Sequence, residues 1–312
     1  MYAPIYRALL STAIFGSAIG AAVPAVLSER DTQVPTVWAP EVGSTYQIIL
    51  TNSMNLESGL VPNVDIYDLD LYDTDISVIG GLHAAGKKVV CYFSAGTSED
   101  WRADWAEFKE KDKGACLPQW AGERWLNTRS ADVWNTMAKR IAFANEKGCD
   151  AIDPDNMEID GYSNENGGGL GLTTRDAATY ARKLAAEAAK YGMGMGLKNA
   201  QEILGSVRDV VQFAVNEECA ANEGDCQSYQ GFGKPVYHIE YVNSRSVSSN
   251  KLRQACNMDS TFTTVIKTLN LDGWVTFCDG KSYTTPTNYS APNKGRKDCL
   301  NSKSARSLGL VN

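Results

Sequence analysis

The chain has 312 residues, 37 acidic against 30 basic side chains, a formal charge of −7, eight cysteines and only two histidines. A composition of 43% hydrophobic and 21% charged residues excludes wholesale disorder, collagen and a polytopic membrane protein. The acid excess argues against nucleic acid as a partner, which needs clustered Lys and Arg, and His83 and His238 alone cannot build a three-His zinc centre.

Residues 8–27 (ALLSTAIFGSAIGAAVPAVL) carry no charge and are flanked by Arg7, Glu29 and Arg30. The weakly basic start, the apolar middle and the small residues Gly20, Ala21 and Ala22 fit a secretory signal peptide. A run of about 20 apolar residues also just spans a bilayer, so a signal anchor that tethers the chain to a membrane is the alternative. Either reading sends the folded part out of the cytoplasm, secreted or held at the cell surface. The cysteines agree, being even in number and without a CxxC pair, as in a disulfide framework. Cys219 and Cys226 bracket a polar loop and form the expected local bridge, while Cys91, inside a strand, reads equally as a buried thiol. Asn288-Tyr289-Ser290 is a glycosylation sequon suited to an exposed secreted surface. The expected division is therefore a signal or anchor at 1–27, a Pro-containing linker at 28–43 and one folded domain at 44–312.

Within that domain, β-rich runs recur at Tyr46–Thr51, Val64–Leu69, Lys88–Ser94, Cys149–Pro154, Met193–Lys198, Val210–Val215, Pro235–Glu240 and Gly273–Phe277. Most are nearly continuous apolar runs, as in parallel strands buried on both faces. Helical patterns separate many of them. Ser77–Ala85 stops at Gly86, Ala131–Lys147 stops at Gly148, and Thr173–Tyr191, opened by a threonine cap, stops at Gly192. Eight strands alternating with helices predict an α/β fold, a single (β/α)8 barrel of TIM type. No strand is followed by GxGxxG or GxxxxGK[ST], which weighs against a doubly wound nucleotide-binding sheet.

A barrel carries its chemistry at the C-terminal ends of its strands. Those positions deliver Asp68, Asp70 and Asp73 after the second strand, and Asp153, Asp155 and Asp160 after the fourth. Glu217 and Glu218 follow the sixth, and Glu240 and Tyr241 the seventh. Single acidic residues in turns are often caps, but a ring of carboxylates at one mouth is the equipment of glycosidic bond hydrolysis. The spacing of Asp153, Asp155 and Asp160 does not match a calcium loop, so neither metal nor cofactor is expected. Tyr72, Trp101, Trp105, Tyr162, Tyr241 and Trp274 supply flat rings in or near the same loops, whereas Trp125 and Trp134 read as core.

Val64–Asp73, Val90–Arg102, Trp125–Arg129, Gly148–Tyr162, Asn216–Cys219, Val236–Tyr241 and Phe277–Asp279 together resemble the glycoside hydrolase family 114 endo-α-1,4-polygalactosaminidases. The resemblance runs from about Tyr46 to the last strand. It implies a barrel that hydrolyses internal α-1,4 bonds in a cationic galactosamine-containing polysaccharide, and it maps the family's acidic pair onto Asp155 and Glu217. Family members often carry Gln where this chain has Glu218, which leaves Glu217 and Glu218 ambiguous by one position. The expected roles are Asp155 as nucleophile and Glu217 as general acid/base of a retaining mechanism. Asp70, Asp153, Asp160, Tyr162, Glu218, Glu240, Tyr241 and Trp274 are expected to hold substrate or tune pKa values, in a monomeric enzyme. The competing readings are a non-catalytic carbohydrate-binding barrel, a hydrolase of another amino-sugar polymer, and a tethered adhesion protein.

Overall fold

Eight strands pair in parallel, in sequence order: β1 (Tyr46–Ile49), β2 (Ile66–Asp70), β3 (Lys88–Ser94), β4 (Ala151–Asp155), β5 (Gly194–Lys198), β6 (Phe213–Glu217), β7 (Val236–Tyr241) and β8 (Phe262–Lys267). They belong to a computed structural model that describes residues 35–117, 120–158, 166–222, 224–288 and 299. The sheet curls until its ends meet, through side chains and a loop rather than a strand ladder. Lys267 Nζ on β8 donates to Ile48 O at 2.7 Å and Gln47 Oε1 at 3.0 Å on β1, and Leu50 N donates to Leu271 O at 2.9 Å. β9 (Trp274–Phe277) and β10 (Ser282–Thr284) then turn back antiparallel.

The barrel is the expected one, but its eighth strand is not. Gly273–Phe277 falls on the antiparallel β9, and the eighth parallel strand is Phe262–Lys267. Thr263 and Thr264 interrupt the apolar run by which the other strands are recognised. The segment is nevertheless rich in β-branched and aromatic residues. Its buried Thr264 hydroxyl meets His238 Nδ1 at 3.0 Å, which satisfies the polar group that disguised the strand.

Period-two alternation sorts the apolar side chains into two layers. Tyr46, Ile48, Ile66, Val90, Ala151, Phe213, Val215, Tyr237 and Ile239 fill the barrel, with Tyr46 stacked on Tyr237 at 4.4 Å. Their neighbours Tyr67, Leu69, Cys91, Phe93, Ile152, Met195 and Leu197 face outward against α1 (Ile76–Ala84), α2 (Ala131–Lys147) and α3 (Thr174–Ala189). The caps follow the sequence. Asp75 accepts from Ser77 N before α1, Gly148 takes the left-handed conformation after α2, and Thr173 forms a capping box with Asp176 before α3. A shorter helix, α4 (Ser249–Cys256), packs near β8.

Between β3 and α2 the chain makes a small antiparallel sheet of Thr97–Glu99, Lys113–Cys116 and Glu123–Leu126 at the C-terminal end of β3. Four disulfides join Cys91 to Cys149, Cys116 to Cys299, Cys219 to Cys226 and Cys256 to Cys278. The local bridge is the expected one, whereas Cys91 is bonded rather than a free thiol. Asn288 of the sequon is exposed. Among the described residues no helix is long and apolar enough to cross a membrane, and the segment 8–27 lies outside them.

Candidate active site

Alternation carries Asp153 and Asp155 on β4, Lys198 on β5, Glu217 on β6 and Tyr241 on β7 into the barrel, above the apolar layer of Val90, Val215 and Ile239. Lys198 Nζ stands at their centre, 3.5 Å from Asp155 Oδ1, 3.6 Å from Asp153 Oδ2 and 3.7 Å from Glu217 Oε2. Asp155 and Glu217 reach solvent, with side chains 15% and 22% exposed, while Asp153 and Lys198 are sealed at 0% and 1%. Solvent therefore reaches Asp155 and Glu217, and the other two charges lie beneath.

Each of the two accessible carboxylates is oriented by neutral donors. The Tyr92 hydroxyl donates to Asp155 Oδ2 at 2.8 Å. The Tyr241 hydroxyl donates to Glu217 Oε1, and Asn199 Nδ2 donates to Glu217 Oε2 at 3.0 Å. Asn199 Oδ1 also accepts from Glu217 N at 2.8 Å, so one side chain ties the ends of β5 and β6 together. The residue after each charged group is left-handed: Asn156 (φ 61°) after Asp155, Asn199 (φ 46°) after Lys198, Glu218 (φ 60°) after Glu217. Asn tolerates that region, whereas for Glu218 it costs on the order of 1 kcal/mol, a kind of strain that gathers at functional sites. Gly96 completes the support. Its N donates to Asp155 O at 3.0 Å, and a Cβ there would lie 1.5 Å from Asn156 O, so only glycine lets the two strand ends touch.

The electrostatics follow from burial. Burial above all pushes Asp153 up to about 7, with Asp155 and Glu217 adding to the rise and Lys198 opposing it. Neither Asp153 oxygen accepts a hydrogen bond at normal geometry. Burial would lower Lys198, but Asp155, Glu217, Asp153 and Asp68 outweigh it and hold the ammonium charged. Deeper still, Asp68 accepts from the Tyr46 hydroxyl at 2.8 Å, and burial and Asp153 keep its carboxyl well above the usual range. Glu158, just past β4 and 6% exposed, is pushed up to about 8 by burial and by Asp155.

The other expected site residues are placed elsewhere. Asp70 is buried in a bidentate pair with Arg102, at 2.5 Å and 3.1 Å, and Arg102 also binds Glu99. Glu240 points to the outer face of β7, one residue out of step with Tyr241. There it binds His238 Nε2 at 3.0 Å, Lys251 Nζ at 2.5 Å and Ala220 N at 2.8 Å. Burial works against the charge of Glu240, yet the hydrogen bonds from His238 and Lys251 hold its carboxyl below the usual range. Partial burial of its carboxyl and then Glu240 push the exposed Glu218 up, with Glu217 the weaker influence. Glu218 thus feels first the charge of Glu240 on the outer face, whereas Glu217 lies beside Lys198. Trp274 is 4% exposed and on the opposite face of β9 from the inward Val275. Asp160 and Tyr162 lie outside the described residues. Lys198, Tyr92, Asn199 and Glu158 were not singled out by sequence. The usable signal was Lys198 itself, a cation ending an otherwise apolar interior strand.

The sequence profile of glycoside-hydrolase family GH114 matches residues 28–283. The chain belongs to that family. Family 114 membership makes it a glycosidase, and Asp155 and Glu217 are at the C-terminal ends of β4 and β6. Ega3 of Aspergillus fumigatus, solved as a complex with galactosamine, is 43% identical with a TM-score of 0.73, over 79% of this chain and 100% of that one. The glycoside hydrolase domain of PelA from Pseudomonas aeruginosa shares the fold at 16% identity and a TM-score of 0.58, over 73% of this chain and 96% of that one. Among curated protein sequences none matches significantly.

Proposed function

We propose that this family 114 enzyme hydrolyses internal α-1,4 linkages of galactosamine-containing polysaccharide, with Asp155 as nucleophile and Glu217 as general acid/base. The observation that carries the reading is the pair itself: two carboxylates at the ends of β4 and β6, both open to solvent and both next to Lys198. Their Lys198 distances keep the two facing oxygens within about 7 Å of each other, which includes the carboxyl separation of retaining enzymes and lies below most of the inverting range. Asp155 attacks the anomeric carbon while Glu217 protonates the leaving oxygen. Glu217 then takes a proton from the water that releases the sugar. The galactosamine bound to Ega3 supports an amino-sugar substrate, and the acid-rich mouth suits a cationic polymer.

Four disulfides support action outside the cytoplasm. The test is a reducing-end assay on partly deacetylated α-1,4-galactosamine polymer beside chitosan and pectin. Reducing ends should appear from the galactosamine polymer alone, with the first-formed anomer retained by proton NMR. Cleavage of chitosan or pectin at comparable rates would reject the substrate, and an inverted first product would remove the nucleophile role.

A further inference from the structure

We propose that Lys198 is a positioning residue that fixes how many protons the Asp155–Glu217 pair holds, an inference that rests on the catalytic roles just assigned. Its ammonium is almost equidistant from three carboxylates, at 3.5, 3.6 and 3.7 Å, each longer than an ordinary hydrogen bond. A cation so placed is shared rather than paired. It stabilises the ionised form of every neighbour at once, and with a side chain 1% exposed it is little screened by solvent.

The groups that face it from each packed element are acidic or phenolic. They are Asp153 and Asp155 from β4, Glu217 from β6, Tyr241 from β7 and Tyr92 from β3, whose ring centroid is 5.2 Å from Nζ. Asp68 acts from β2 below and Glu158 from the segment after β4. Without the lysine, this crowd of carboxyls would take up protons at the pH where Asp155 must stay ionised to attack. With it, the Asp155–Glu217 pair can carry the negative charge that the nucleophile role of Asp155 requires. Asp153, sealed beneath them, adds negative charge next to Lys198 only once it ionises, as pH rises through about 7.

Two variants of the full chain test this: Lys198→Met, which removes the cation at similar volume, and the isosteric Asp153→Asn. The readouts are carboxyl-carbon NMR titration of Asp155 and Glu217, which needs no substrate, and the pH profile of kcat/KM on the galactosamine polymer. In Lys198→Met both titrations and both limbs of the profile should move up by about one pH unit or more, whereas Asp153→Asn, which fixes the neutral form that Asp153 holds below about 7, should move neither limb below that pH. A merely structural lysine would lower the yield of folded enzyme or scale kcat without moving either limb. Titrations within about 0.2 unit of wild type in Lys198→Met, or in Lys198→Gln where Lys198→Met fails to fold, would overturn the proposal, as would a downward shift in either. Shifted titrations in a wild type that does not cut the polymer would instead reject the substrate reading and leave the role of Lys198 standing.

Discussion

At the residue scale, the backbone decides which of the two adjacent carboxylates at the end of β6 enters the barrel. Glu217 shares the inward face of β6 with Val215, whereas Glu218 turns away on a left-handed residue. Glu217→Gln should therefore lose about 10³-fold or more in kcat, and Glu218→Gln less than about tenfold, in the reducing-end assay. The acidic ring itself was legible because carboxylates recur at strand ends. Glu240 could have been set aside from sequence alone, since it is one residue from Tyr241 and a strand sends alternate residues to opposite faces. Lys198 was not legible, because its meaning depends on three carboxylates brought in from two other strands. Asp153 adds a pH signature. Its folded value, about 7, lies above the ordinary 3.8, so the folded state holds a proton that the unfolded chain has released. The stability this proton confers is fully present below about 3.8, falls as pH rises above that value, and is lost once pH has passed through about 7. Asp153→Asn should accordingly gain stability relative to wild type between pH 5 and pH 8, read as the difference in Tm. A difference that shrinks as pH rises would contradict the assignment.

At the element scale, seven barrel strands and three helices were visible as apolar runs and caps, while β8 was hidden by its two threonines. The insertion between β3 and α2 was equally invisible, since its short strands pair only with one another and with nothing periodic in sequence. Its position is nevertheless consequential. Thr97, at its first strand, accepts from Asn156 Nδ2 at 3.3 Å and donates to the buried Glu123 at 2.7 Å, so the sheet braces the end of β4 that carries Asp155. The Cys91–Cys149 bridge secures the same region from the outside, joining β3 to the start of β4 across 58 residues that include the insertion and α2. Replacing both cysteines by alanine should cost about 2–4 kcal/mol, measured as a shift of the denaturant midpoint. An unchanged midpoint would show that the barrel ladder alone holds these strands.

At the scale of the whole molecule, the scarcity of histidine and the acid excess already pointed to carboxylate chemistry, and the eight-strand count to one barrel. What neither could supply is the burial order of the charges. Asp155 and Glu217 are at the surface of the mouth, Lys198 and Asp153 are beneath, and Asp68 with Tyr46 lies below them. The most direct measurement is reducing-end release from α-1,4-galactosamine polymer by the wild type, Asp155→Ala and Glu217→Ala, with Tm recorded on the same samples. The wild type should cut the polymer, and both variants should fall by about 10³-fold or more while melting within a few degrees of it. Near-normal turnover in either folded variant would contradict the two-carboxylate site.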